Sequence, residues 1–152
     1  MLKTVDVNFS YTKEISFNFP DINLASNESL LILGKSGIGK TTFLHVLAGI
    51  LSPDKGSIFI KETNITKLTN KKLDAFRGKH IGIVFQNTIV VSSLTVFENL
   101  QARLYFSKIS NQNEAIESIL NQLDLVSVKN QKPNTLSTGQ LQRLGIALGV
   151  IH

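Results

Sequence analysis

Eight consecutive residues, Gly34-Lys35-Ser36-Gly37-Ile38-Gly39-Lys40-Thr41, set glycines, a lysine and a hydroxyl at the spacing G-x-x-x-x-G-K-[ST]. That spacing suits the holding of phosphate groups. Gly34, Gly37 and Gly39 can take positive φ, which lets a backbone close around an anion. Successive N–H groups then point inward as a nest. A helix that starts where the loop ends directs its positive dipole end at the same place. Lys40 would reach the β- and γ-phosphates, and the Thr41 hydroxyl would offer a ligand to Mg²⁺. Without suitable flanks the same residues would be a glycine-rich turn before a core helix.

The flanks are suitable. Ser29-Leu30-Leu31-Ile32-Leu33 is a short apolar run of the kind shown by a buried parallel strand. After the loop, Phe43, Leu44, Leu47 and Ala48 recur at helical spacing. A second β-rich run, Ile81-Gly82-Ile83-Val84-Phe85, ends at Gln86. Ligands of open α/β sheets bind beyond the carboxyl ends of strands, which would place Gln86 near the ligand of Lys40. On its own, Gln86 is a strand-terminal residue in a turn.

The remaining chain reads in order. Residues 2–9 suggest a strand with Val5, Val7 and Phe9 on one face, and Ile15 to Phe19 a second strand ended by Pro20. Between them lies Tyr11, an aromatic that could stack on a base but is by itself an ordinary strand-end tyrosine. Leu51 to Gly56 is a turn, and Ser57 to Ile60 a strand. Residues 70–77 suggest a short helix with Leu73 and Phe76 inward. Thr95 and Glu98 form a capping box that opens a helix to about Phe106. A polar break at 107–112 precedes a helix at 113–123 with Ile116, Ile119, Leu120 and Leu123 on its apolar face. With no strand between them, these two helices should form a separate helical layer. Lys132-Pro133-Asn134 is a loop. Ser137 then caps a final helix, with Gln140 as its box partner and Leu141, Leu144, Ile146, Leu148 and Val150 apolar.

The 152 residues suffice for one core, and 42% hydrophobic content argues for a globular chain. No apolar run is long enough to span a bilayer, and the N-terminus lacks the apolar stretch of a signal peptide, so a cytoplasmic protein is expected. The chain has no cysteine, which excludes disulfides and thiolate metal sites. A net charge of +5 would suit nucleic acid, but the basic residues are scattered and no aromatics interleave with them, so no nucleic-acid partner is expected. His45, His80 and His152 are not spaced as a metal site.

Taken together, the motifs resemble the ATP-binding subunit of ABC transporters along nearly the whole chain. Tyr11 matches the aromatic A-loop residue that stacks on adenine, and Gly34 to Thr41 matches Walker A. Gln86 matches the Q-loop glutamine. Leu136-Ser137-Thr138-Gly139-Gln140 matches the family signature, usually LSGGQ. Leu141 to Leu148 resembles the QQRVAIAR stretch that follows. Three departures stand out: Thr138 replaces a signature glycine, Leu148 replaces a usual arginine, and no Walker B, D-loop or switch histidine occurs before His152. Within the family, the stretch from Phe85 to Leu100 reads like the cassettes of lipoprotein-release and macrolide-export systems.

The resemblance implies an α/β fold, a P-loop NTPase core of the ABC ATPase kind with an N-terminal antiparallel β part and a helical subdomain, incomplete at its C-terminus. It divides the chain into a β part and P-loop core at 1–86, a helical subdomain at 87–136 and the signature helix at 137–152. Residues 1–152 would be the first two-thirds of an ATP-binding domain, with unpaired strand edges and no ATP turnover alone. The implied cofactors are ATP and Mg²⁺. Nucleotide contacts would come from Tyr11, the whole loop Gly34 to Thr41 (including Lys35, Ser36 and Ile38), Thr42, Ser137, Gly139 and Gln140. Thr41 and Gln86 would hold the metal, and Gln86 would serve catalysis. Ser137, with a free hydroxyl at a helix N-terminus, and Gly139 would act in a second cassette, through a homodimer or a paired subunit. Permease subunits would attach the protein to the inner face of the membrane. A soluble ABC-type ATPase without a permease and a non-hydrolysing nucleotide-binding fragment are the other readings.

Overall fold

Alternating side chains over residues 2–9 predict a strand with one covered face. A computed structural model describes residues 1–107 and 112–151, and it places β1 at Leu2–Ser10. Around β1 an antiparallel sheet assembles from β2 (Ser16–Asn18), β3 (Asn23–Leu24), β4 (Lys55–Ile60) and β5 (Thr63–Asn64). Its path is β2-β1-β4-β5, with β3 paired to the first residues of β1.

The expected alternation in β1 fails in the middle, for a local reason. The β1–β4 register shifts between Val5 and Asn8. Asp6 takes φ 51° there, and Asp21 Oδ1 accepts its N–H at 2.8 Å. Such a bulge moves the following side chains to the other face. Thr4, Val7 and Phe9 are therefore buried, and Val5, expected inward, is only half-buried. Opposite the bulge stands Gly56, where a Cβ would lie 2.5 Å from the Asp6 carbonyl oxygen. The buried Thr4 hydroxyl accepts from Ile22 N–H at 2.7 Å and donates to Pro20 O at 3.3 Å, so no polar group is stranded.

Two runs expected as buried strands are not strands. Residues 29–33 lie outside every ladder, with Leu31 and Leu33 exposed by 78% and 76%. Residues 81–85 likewise lie outside every ladder, half-buried at 81, 83 and 85 and exposed between. A parallel strand needs a neighbour for its N–H and C=O groups. Among the described residues every ladder is antiparallel and none reaches these segments. Apolar content made both runs look like strands, but pairing decides.

Helix α1 (Lys40–Leu47) buries Phe43, Val46 and Leu47, while Leu44, expected on the covered face, is exposed. The Phe43 ring stacks on Phe19 at 4.4 Å, which fixes α1 to the segment after β2. Helix α2 (Asn70–His80) runs past its expected end at Arg77. It buries no residue completely, and Leu73 and Phe76 are half-buried. The chain forms two compact units, Met1–Asp74 and Ala75–His152, and the boundary falls within α2.

The second unit is helical. Its core combines Val96, Leu100 and Leu104 of α3 (Val96–Ser107), Ile116 and Leu120 of α4 (Gln112–Gln122), and Leu144 and Ala147 of α5 (Thr138–Val150), together with Leu125 and Ile151. Ile146 and Val150, expected to be apolar contacts of α5, are exposed; they fall off the face shared by Leu144, Ala147 and Ile151. The polar break expected at 107–112 has residues 108–111 outside the described ones. The loop expected around Pro133 is a 3₁₀ turn, Pro133–Thr135.

At the start of α3, Thr95 N–H donates to Glu98 Oε2 at 2.7 Å and Glu98 N–H to Thr95 Oγ1 at 3.2 Å. The Thr95 backbone bond, then its hydroxyl, hold the Glu98 carboxyl below its ordinary value of 4.5. A depressed carboxyl contributes stability above its ordinary pKa and loses it as pH falls through the folded value. Thermal melts of the parent and Glu98→Ala should therefore differ most near neutral pH and converge below about pH 4.5. A gap that stays constant down to about pH 3 contradicts the box as an acid-sensitive contact.

Candidate functional site

The glycine loop runs directly into α1. Gly37 and Gly39 take φ of 85° and 96°, and Gly39 is the residue from which the helix starts. No side chain caps this start and no acidic residue stands in the first turn. The first-turn N–H groups thus keep their partial positive charge for an external anion. Lys40 Nζ donates to Gly34 O at 2.8 Å and to Lys35 O at 2.7 Å, which lays the ammonium across the loop. Ser36, Ile38 and the Thr41 side chain are exposed beside it.

An aromatic group adjoins the same helix. The Tyr11 ring stands edge-on to Phe9 at 4.8 Å and to Phe17 at 6.3 Å, and 54% of the residue is exposed. Its hydroxyl shares a hydrogen bond of 3.3 Å with Oγ1 of Thr42, itself buried in α1. An exposed aromatic face tied to the helix that ends the loop can stack on a base. Sequence reasoning missed Phe17 and Phe19, which complete this group. The available signal was the density of aromatics at positions 9, 11, 17 and 19.

The other site residues expected from sequence lie in the second unit. Gln86 is exposed at the end of the run 81–85, which lies outside every ladder. Two residues on, the Thr88 hydroxyl donates to Leu141 O at 3.3 Å, and a Cβ on Gly145 would come within 2.9 Å of that hydroxyl. The segment after Gln86 therefore lies against α5 where that helix carries no side chain. At the start of α5, Ser137 Oγ accepts from Gln140 N–H at 3.3 Å, and Gln140 Oε1 accepts from Ser137 N–H at 2.9 Å. The Ser137 hydroxyl is thus not free, as expected from sequence, but engaged as an acceptor; its own hydrogen still leaves it a donor. Gly139 faces open space.

Gly39 and Gly37 both take positive φ, yet only Gly39 is crowded: a Cβ there would lie 2.6 Å from Phe17 Cδ1, whereas Gly37 has nothing within 4 Å. Backbone strain alone should cost either alanine variant about 1–2 kcal/mol. Gly39→Ala should destabilise more than Gly37→Ala in urea titrations, because Phe17 must also move. Equal losses contradict the Phe17 contact.

Comparisons with known proteins agree on one family. A family model described as ABC transporter matches residues 17–152. The chain is 38% identical over 134 residues to the bacitracin export ATP-binding protein BceA of Halalkalibacterium halodurans, over 87% of this chain and 53% of that protein. It is 35% identical over 134 residues to the lipoprotein-releasing system ATP-binding protein LolD of Bacteroides fragilis, over 87% of this chain and 62% of that protein. The chain thus spans little more than half the length of these curated relatives. Among solved structures it is similar to the ATP-binding cassette MJ0796 in a dimeric, post-hydrolysis state bound to ADP and Pi, with a TM-score of 0.88, 29% identity, and 99% of this chain and 69% of that one covered. The chain thus has the α/β fold of an ATP-binding cassette and belongs to the ABC transporter family.

Proposed function

We propose that this protein, at full length, binds MgATP at residues 34–41 and hydrolyses it to power a membrane transporter. The observation that carries the reading is the uncapped start of α1 with the Lys40 ammonium laid across the loop. The loop N–H groups and Lys40 hold the phosphates, and Tyr11 stacks on the base. Thr42 serves through its bond to Tyr11.

Mg²⁺ is a hard cation that takes oxygen ligands. Thr41 and Gln86 are both exposed, and each carries an oxygen donor of that kind, so the chemistry of each side chain suits the ion. When bound, it neutralises charge on the phosphate oxygens. In hydrolysis, water attacks the γ-phosphorus and the bond to the bridging oxygen breaks, giving ADP and phosphate; Gln86 orients that water. Ser137 donates its remaining hydrogen, and with Gly139 and the N-terminus of α5 it grips the γ-phosphate held by a second cassette; Gln140 keeps that terminus in shape. The dimer of the similar cassette MJ0796 supports such pairing.

Residues 1–86 act as the β part and nucleotide core, 87–136 as the helical subdomain and 137–152 as the signature helix. No described helix is long and apolar enough to cross a membrane. Permease subunits would hold the cassette on the cytoplasmic face, and the names of the relatives, bacitracin export and lipoprotein release, support an export-type branch.

Two measurements on the full-length protein test this reading. Lys40→Ala removes a charge-assisted phosphate contact and should raise the ATP dissociation constant about tenfold or more. Unchanged affinity by calorimetry would end the loop assignment. Ser137→Arg should leave ATP binding by the monomer nearly intact, yet abolish the ATP-dependent dimer seen by size exclusion and most of the hydrolysis. A Ser137→Arg protein that still dimerises and hydrolyses normally contradicts the signature role.

A further inference from the structure

Phe17 stands between the two halves of the nucleotide site. Its ring lies so close to Gly39 that a Cβ on that residue would meet Cδ1 at 2.6 Å and Cε1 at 2.7 Å. On its other side it meets the Tyr11 ring edge-on, at 6.3 Å and 88°. The same ring is stacked on Phe19 at 6.0 Å, and Phe19 on Phe43 of α1 at 4.4 Å, so its position is set from the helix as well as from the sheet. Strand β2 fixes its backbone through the pair Phe9↔Phe17 with β1. One side chain therefore touches both the residue that starts α1 and the aromatic ring offered to a base.

We infer that Phe17 is a positioning residue that sets the Tyr11 ring at a fixed place relative to the glycine loop, so that base stacking and phosphate binding occur in one ligand geometry. The inference rests on the nucleotide site proposed above. Phe17 acts through Tyr11. Its loss should therefore be felt by a ligand that has a base and not by a ligand made of phosphate alone.

Phe17→Leu is the informative variant. Leucine still fills the space beside Gly39 but lacks the ring edge that meets Tyr11. In the full chain, with thermal melting to confirm folding, ATP and inorganic tripolyphosphate are titrated as separate probes. An aromatic pair of this kind is worth a few-fold to about tenfold in affinity, so the ATP dissociation constant should rise by about 3–10-fold. That for tripolyphosphate should stay within about twofold, because the loop keeps its support. In a Tyr11→Ala background, Phe17→Leu should have no further effect on ATP. Unchanged ATP affinity, equal weakening of both probes, or an effect that adds to that of Tyr11→Ala overturns the role of Phe17. Lys40→Ala separates the two levels. If it binds both probes like the parent, the site itself is wrong and the inference falls with it. If it weakens both while Phe17→Leu changes nothing, the inference alone fails.

Discussion

The site depends on the turn by which the chain enters α1. Gly39 lies in the left-handed region and accepts the N–H of Phe43 at 2.8 Å, the bond that begins the helix. A side chain at that position would strain the backbone and strike Phe17. Because the residue is glycine, the first turn stays uncapped and Lys40 begins the helix with its ammonium folded back on the loop carbonyls. The same close approach lets an aromatic group from the sheet settle against the helix. Loop electrostatics and the packing of the aromatic group thus follow from one backbone conformation.

The sheet that supports this turn depends on a bulge. Asp6 at positive φ changes the face of β1, which brings Val7 and Phe9 inward and leaves Tyr11, just beyond the strand, beside Phe9. Gly56 on β4 gives the bulged carbonyl room. A regular strand would have put Val5 on the same face as Val7 and Phe9, and Thr4 on the other.

In the helical unit the polar side chains near the site do structural work. Asn99, almost fully buried, accepts from Val91 N–H at 2.8 Å and donates to the carbonyls of Val91, Leu94 and Thr95. It ties the segment after Gln86 to the first turn of α3. Ser137 and Gln140 satisfy the start of α5 in the same manner. Each satisfied group removes a desolvation cost and fixes a loop that carries a site residue. Asn99 gave no sign in the sequence, since an asparagine early in a helix reads as a solvent-facing residue.

The sequence by itself determined the local chemistry. The loop spacing, the capping boxes at Thr95 and Ser137, and the apolar face of α4 are short-range patterns, written in residues close together in the chain. Tertiary structure decided what depends on distant partners. Whether residues 29–33 and 81–85 form strands rests on ladder neighbours that local hydrophobicity cannot supply, and among the described residues those neighbours are absent. Which side of β1 is covered rests on a register shift against β4, and the packing of the aromatic group rests on Phe17 meeting Gly39 across a long stretch of chain. Short-range hydrogen bonds and dipoles are fixed by neighbours in sequence; strand pairing, register and ring contacts are fixed only when remote segments meet, because their energies arise from those meetings.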